Sequence, residues 1–154
     1  MSNNEIKGTG SIQVDVQIPV KKPRTTVWTS LFEQTTAWWP SDYYATTHPS
    51  RMVFEPILGG RLYEEAERGS GLLWYTVIAI EPPLSINLAG HIAPPFGGPA
   101  TSLLRIDLES TSETTSLIRI SDSVFGCIDT NTKPRIAEGW LTVFSSAKKF
   151  SEAL

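Results

Sequence analysis

The sequence predicts an α+β domain: a curved antiparallel sheet wraps around a long C-terminal helix, and two short helices follow the first strand. Three observations predict it. Short apolar runs separated by turn residues fill positions 51–125, a proline-bounded helical pattern follows the first strand, and one continuous apolar stripe runs through the last segment. Strands joined by short turns indicate an antiparallel meander. The stripe needs a large apolar partner, and the sheet offers one.

The N-terminal part of the chain predicts a tail and then a strand. Residues 1–11 are rich in Asn, Gly, Ser and Thr and carry no apolar run, which is typical of a flexible tail. Residues 12–18 alternate apolar and polar side chains, which indicates a strand with one buried face. We expect Pro19 to end this strand. Residues 12–154 are expected to form one domain, because no repeat or boundary divides them.

Two helices are predicted after the first strand. Pro23 suits the first turn of a helix, where its missing N–H costs little. Apolar residues then recur at helical spacing, which predicts a helix over 24–33. A second short helix over 35–39 is expected to stop before Pro40.

The central part of the chain predicts six strands. Glycine pairs, Pro82-Pro83 and a polar turn at 110–114 separate the apolar runs. The predicted strands are 52–55, 61–67, 72–81, 85–91, 102–109 and 115–125.

The C-terminal segment predicts one long helix. Asn131 or Thr132 is placed to cap it, and Pro134 lies near its first turn. Apolar residues then recur at helical spacing over roughly five turns. The stripe consists of Ile136, Trp140, Val143, Phe144, Ala147, Phe150 and Leu154.

Composition argues against several classes of protein. The net charge of −3 and the lack of a basic face argue against a nucleic-acid binder. No apolar run approaches the roughly 20 residues of a membrane span, and the N-terminus lacks the apolar core of a signal peptide, so we expect a cytoplasmic protein. The single cysteine excludes an internal disulfide. No cofactor motif or metal-ligand spacing is present, so no cofactor and no metal is expected.

Several short signatures carry a family resemblance. They read FEP at 54–56, GGRLYE at 59–64, VIAIEPP at 77–83 and EGW at 138–140. In this order the chain resembles the SRPBCC (START-like) superfamily, and within it the AHSA-type domains related to the activator of heat-shock ATPase. The resemblance runs from about residue 12 to the C-terminus.

The resemblance implies a helix-grip fold, with a cavity between the curved sheet and the last helix. Members of the superfamily include carriers of apolar ligands, chaperone co-factors and polyketide cyclases, so fold alone does not give function. One departure concerns the strand after Pro82-Pro83. Many members place a large aromatic residue near its end, where this chain reads Leu88-Ala89-Gly90-His91. The lost bulk either enlarges the cavity or is replaced by another side chain.

Large apolar side chains and two polar ones are the candidates for contacting a ligand, because small-molecule sites are mostly apolar with a few oriented polar groups. The predicted ligand-binding residues are Trp28, Phe32, Trp38, Phe54, Trp74, Leu88, His91, Ile106, Ile120, Asp122, Trp140 and Phe144.

Asp122 is the most unusual polar residue, because it shares its strand parity with Ile118, Ile120 and Val124. A carboxylate on a buried face is costly unless it is paired or hydrogen-bonded. It is either a ligand-orienting acid or general base with a raised pKa, or a structural acid bonded to a backbone N–H or an arginine, or it lies where the strand has already reached solvent. His91 is a second candidate for acid–base chemistry or for a hydrogen bond to a ligand.

The leading hypothesis is a domain that binds a small apolar ligand between the sheet and the last helix, without catalysis. One alternative is an interaction protein resembling a chaperone ATPase activator, with a chaperone or a second copy of the chain as its partner. The other is an enzyme of the polyketide cyclase or dehydrase kind, in which Asp122 and His91 act together and therefore meet in one pocket.

Overall fold

The computed structural model describes residues 8–154 and contains one seven-stranded antiparallel sheet. The strand order is β1-β7-β6-β5-β4-β3-β2, so the first strand pairs with the last and the others follow the chain. All neighbouring pairs are antiparallel. The strands are β1 (Thr9–Val20), β2 (Pro49–Phe54), β3 (Arg61–Ala66), β4 (Gly71–Glu81), β5 (Ser85–Ile92), β6 (Ala100–Ser110) and β7 (Ser116–Cys127).

Three α-helices complete the fold: α1 (Arg24–Glu33), α2 (Thr35–Trp38) and α3 (Thr132–Glu152). The inner face of the sheet and the stripe of α3 share one apolar core. Phe144 lies at its centre, with its ring centroid 5.8 Å from that of Trp38 and 5.8 Å from that of Trp140. The predicted elements are thus all present, and the predicted architecture is confirmed.

The first strand is longer than the alternation predicted. It begins at Thr9, so Thr9, Gly10 and Ser11 pair with β7 rather than belonging to a tail, while residues 1–7 of the predicted tail lie outside the described residues. Pro19 does not end the strand, which continues to Val20. Proline is tolerated here because β1 is an edge strand and pairs only on one side.

The stripe of α3 is shorter than predicted. Its residues from Trp140 to Ala147 are buried, but the helix ends at Glu152 and Leu154 lies beyond it, 57% exposed. Asn131 occupies the N-cap position without a side-chain hydrogen bond. Asp129 stabilises this turn instead, because its Oδ1 accepts the Asn131 N–H at 2.8 Å.

Two register shifts bend β4. Leu62 pairs with Tyr75 and Tyr63 with Leu73, which leaves Trp74 as an extra residue, and a second shift leaves Ile78 extra. A bulge of this kind bends its strand and increases the local twist. Because Trp74 is extra, the side chains of both Trp74 and Tyr75 reach the inner face of the sheet.

Gly90 of β5 explains how the fold replaces the expected aromatic residue of this strand. A Cβ built on Gly90 would lie 2.4 Å from the Trp74 carbonyl oxygen and 2.8 Å from Cδ1 of Tyr75. The ring of Tyr75, from the neighbouring strand, therefore occupies the space that a side chain at position 90 would take.

We expect Gly90→Ala to destabilise the protein by about 1–3 kcal/mol, the usual range for overpacking, because the backbone oxygen of Trp74 cannot move aside. Gly139→Ala in α3 is the matched control, since its Cβ would meet only Cε1 of Tyr43 at 3.7 Å. It should stabilise the helix by up to about 1 kcal/mol. Urea unfolding of both variants measures the two effects, and equal changes of one sign would contradict this account.

Candidate functional site

A cavity of about 360 Å³ lies between the sheet and the N-terminal half of α3. Its floor comes from β4, β5, β6 and β7, its roof from α3, and its sides from the segment after α2 and the loop after β5. Most of the lining is apolar. The lining residues are Trp39, Tyr43, Ala45, Leu72, Leu73, Trp74, Tyr75, Gly90, His91, Ile92, Phe96, Ser102, Asp122, Val124, Arg135, Ile136, Gly139, Trp140 and Val143.

Four polar side chains are joined at the inner wall of this cavity. Asp122 is only 2% exposed, and its Oδ1 accepts a hydrogen bond from Oγ of Ser102 at 2.5 Å. Its Oδ2 accepts one from Nε1 of Trp140 at 2.8 Å. The hydroxyl of Tyr75 lies 2.7 Å from Oγ of Ser102. We call Tyr75, Ser102, Asp122 and Trp140 the polar pole.

The direction of every hydrogen bond in the polar pole follows from counting hydrogens. A serine hydroxyl has one hydrogen, and that of Ser102 is donated to Asp122. With Asp122 ionised, Tyr75 is therefore the donor to Ser102. The indole N–H of Trp140 is also donated to Asp122. Two of the three hydrogens are thus donated to the carboxylate and the third to Ser102, so only oxygen lone pairs remain for another molecule.

Burial raises the pKa of Asp122 above its ordinary value of 3.8, and the hydrogen bonds from Ser102 and Trp140 offset part of this rise. Burial also raises the pKa of the Tyr75 hydroxyl, and the negative charge of Asp122 raises it further. The pole therefore combines a costly buried carboxylate with a phenol that keeps its proton.

Glu64 of β3 is a second buried carboxylate, behind the wall of the cavity. It accepts the indole N–H of Trp74 at 2.8 Å and the backbone N–H groups of Ala45 and Thr46 at 3.0 and 2.6 Å. Burial raises the pKa of Glu64, but the hydrogen bonds outweigh burial and lower it overall. This acid holds Trp74 and the segment after α2 in place.

The cavity brings together four of the twelve predicted ligand-binding residues: Trp74, His91, Asp122 and Trp140. The other eight belong to the packed core or its edge and do not line the cavity. Seven of them are buried, and Trp28 is partly exposed and packs against Phe32 with tilted rings whose centroids are 4.4 Å apart. The eight are Trp28, Phe32, Trp38, Phe54, Leu88, Ile106, Ile120 and Phe144.

His91 and Asp122 both line the cavity, but no hydrogen bond joins them. The side chain of His91 is exposed, and its Nδ1 lies 3.2 Å from Oγ1 of Thr101. Because Gly90 faces inward, the alternation of β5 directs His91 to the outer face of the sheet, opposite to Asp122. His91 contributes only to the rim of the cavity.

Sequence reasoning missed several residues of the lining. Tyr75 and Ser102 are absent from the predicted set, although they complete the polar pole. Tyr75 escaped notice because the bulge at Trp74 breaks the alternation, and Ser102 because a serine in a strand carries no signal alone. The proposed partners of Asp122, a backbone N–H or an arginine, were wrong: a serine and a tryptophan take their place.

Two further observations concern metal binding and membrane insertion. Among residues 8–154, no three His, Cys, Asp or Glu side chains are grouped closely enough to hold a metal ion. Within the same part of the chain, no helix has the length and apolar content to cross a bilayer.

Comparison with known proteins gives matches in three dimensions only. No family model matches the sequence, and no curated protein matches it. Among solved structures, the AHSA1-like protein from Aeromonas hydrophila is similar, with 15% identity over 92% of this chain and 93% of that protein, and a TM-score of 0.64.

Two other solved structures show the same arrangement. Ara h 8.0201 has 11% identity over 94% of this chain and 100% of that chain, with a TM-score of 0.68. The anthrahydroquino-gamma-pyrone synthase Txn09, solved as a complex, has 17% identity over 71% and 75%, with a TM-score of 0.53. The chain therefore shares the fold of these structures, a curved antiparallel sheet around a long C-terminal helix, as the resemblance implied.

The raised pKa of Asp122 gives a prediction on pH. The native state binds this proton more tightly than the unfolded chain, so the contribution of Asp122 to stability is present below about pH 3.8 and is lost as pH rises through the raised native value. We therefore expect the free energy of unfolding of the wild type, minus that of Asp122→Asn, to fall over this window. Urea unfolding at a series of pH values measures it.

Asp15→Asn is the matched control, because Asp15 is exposed on β1 and the same charge is removed. Its difference from the wild type should lack this fall. A wild-type advantage over Asp122→Asn that grows with pH would show that hydrogen bonds, rather than burial, control the ionisation of Asp122.

Proposed function

We propose that this chain binds a small, mostly apolar molecule in the cavity beneath the N-terminal half of α3. The observation that carries the proposal is the cavity itself: about 360 Å³ of space, largely apolar, with one buried carboxylate in its wall. Protein interiors are close-packed and tolerate few voids larger than a water molecule. Binding pockets for small molecules span roughly 300–1,000 Å³, so this cavity suits a compact ligand.

The packing around the cavity supports this proposal. The C-terminal half of α3 is tightly buried, with Phe144 and Ala147 at most 2% exposed. In the N-terminal half, Gly139 faces the cavity, and a Cβ there would lie 3.7 Å from Tyr43. No protein atom therefore demands a glycine in this helix, where glycine costs about 1 kcal/mol relative to alanine. A glycine at position 139 leaves space for a ligand, which would explain why the helix tolerates this cost.

Binding fits the polar pole better than catalysis does. Enzymes that form an enolate or another oxyanion stabilise it with hydrogen-bond donors aimed at the developing charge. The three donors of the polar pole are already used, those of Ser102 and Trp140 on Asp122 and that of Tyr75 on Ser102. The indole N–H groups of Trp39 and Trp74 are donated to the Tyr43 carbonyl and to Glu64. The other side-chain donors of the lining, from Tyr43, His91 and Arg135, are half-buried or exposed and lie towards the rim. The inner wall can orient a ligand but holds no donor ready for an oxyanion.

Native mass spectrometry of the purified protein tests for a ligand that co-purifies. Naphthalene is the defined probe, because its size fits the cavity and it carries no polar group. Binding is followed in ¹H–¹⁵N spectra through the indole N–H signals. We expect the signals of Trp74 and Trp140 to shift, since both line the cavity, while that of Trp28 stays in place.

Gly139→Leu should abolish the shifts or weaken naphthalene binding by about tenfold or more, because the added side chain enters the cavity. Thr142→Leu is the matched control: it adds a leucine to an exposed position of the same helix and should bind like the wild type. If naphthalene and co-purifying molecules are both absent from the wild type, or if both variants behave alike, the proposal fails.

A further inference from the structure

The polar pole offers a ligand only hydrogen-bond acceptors. Ser102 and Trp140 donate to different oxygens of Asp122, and Tyr75 donates to Ser102. What remains free are lone pairs on the carboxylate, on Ser102 and on the Tyr75 oxygen. All four residues line the cavity, and each is at most 8% exposed, so a ligand that fills the cavity displaces the water there and becomes the only source of further hydrogens for these lone pairs.

We infer that the ligand of this cavity carries a hydrogen-bond donor at its inner end: a hydroxyl, phenol, N–H or ammonium group on an apolar body. This inference rests on the proposed function and names the class of molecule that the cavity selects. A ligand whose inner end is a carboxylate is disfavoured, because it would meet Asp122 with a like charge and without an intervening hydrogen. An ether or ketone is disfavoured because its oxygen lone pairs would face the oxygen lone pairs of the polar pole, with no hydrogen between them.

Buried polar sites discriminate strongly between partners that complete their hydrogen bonds and partners that do not. A donor from the ligand gains a charge-assisted hydrogen bond, which is about twice as strong as a neutral one. An acceptor of the same shape must lose its own hydration and receives nothing in return. The discrimination therefore arises from the direction of three hydrogen bonds and not from the shape of the cavity.

The substitution Asp122→Asn should reverse the hydrogen bonds of the polar pole. The amide oxygen of Asn can still accept the Trp140 N–H, and its NH₂ group then faces Ser102 and donates to it. The hydrogen of Ser102 is released and turns to the Tyr75 oxygen. The phenol hydrogen of Tyr75 is released in turn. One isosteric substitution thus reverses the chain and adds donors to the pole.

The test uses four probes on the same ring system: naphthalene, 2-naphthol, 2-methoxynaphthalene and 2-naphthoate. Dissociation constants are measured by titration of the indole N–H signals, at a pH well above the usual carboxyl range. For the wild type we expect 2-naphthol to bind about tenfold or more tightly than 2-methoxynaphthalene, and 2-naphthoate to bind more weakly than naphthalene. In Asp122→Asn the ratio of naphthol to ether affinity should fall by about tenfold.

The outcomes separate this inference from the proposed function. If none of the four probes binds, both fail. If naphthalene binds but naphthol, ether and naphthoate bind equally well, the cavity binds ligands and the inference is wrong. If Asp122→Asn loses its spectral dispersion and does not fold, the wild-type ratios alone decide. Thr142→Leu, outside the cavity, should reproduce those ratios.

Discussion

The hydrogen bond from Trp140 to Asp122 is the contact on which the interior arrangement depends. It joins α3 to β7, while the same carboxylate, through Ser102, is tied to β6 and, through Tyr75, to β4. A buried carboxylate is tolerated only if such partners are present. The need to satisfy one acid therefore couples the position of the helix to three strands, and the cavity is the space left beside that connection.

Glu64 solves the same problem in a different way. It collects backbone N–H groups as well as an indole, and its hydrogen bonds outweigh the effect of burial on its pKa. Asp122 receives two hydrogen bonds, and for it burial prevails. The two acids thus have opposite effects on the pH dependence of stability. Glu64 is closed on all sides by the protein, whereas Asp122 keeps unused acceptor capacity on the side of the cavity.

The sequence predicted the fold well, because its signals are local and periodic. Alternation marked the strands, the 3.6-residue stripe marked α3, and parity alone placed Asp122 on the inner face. The predictions lost accuracy where a non-local contact decided the outcome. Pro19 lies inside a strand because that strand is an edge, which only the pairing of β1 with β7 reveals.

The candidate site was harder to predict for the same reason. Large apolar residues such as Ile106, Ile120 and Phe144 fill the core whether or not a cavity exists, so size and hydropathy do not separate lining from core. Ser102 matters only because β6 places it beside Asp122. The ring of Tyr75 on β4 fills the space beside Gly90 on β5. The residue pattern of either strand alone does not show this contact.

The extra residue at Trp74 has a consequence for how sequences are compared along β4. The inward-facing frame before it and the frame after it are offset by one position. An ungapped alignment with a relative that has a regular strand would match inward side chains to outward ones on one side of this point. Deleting residue 74 would remove the extra residue and leave a regular strand, in which Leu72 and Leu73 keep their present faces because Tyr63 already pairs with Leu73 and Leu62 with Tyr75. Deleting a regularly paired residue of β4 would instead move the residues on one side of it to the opposite face.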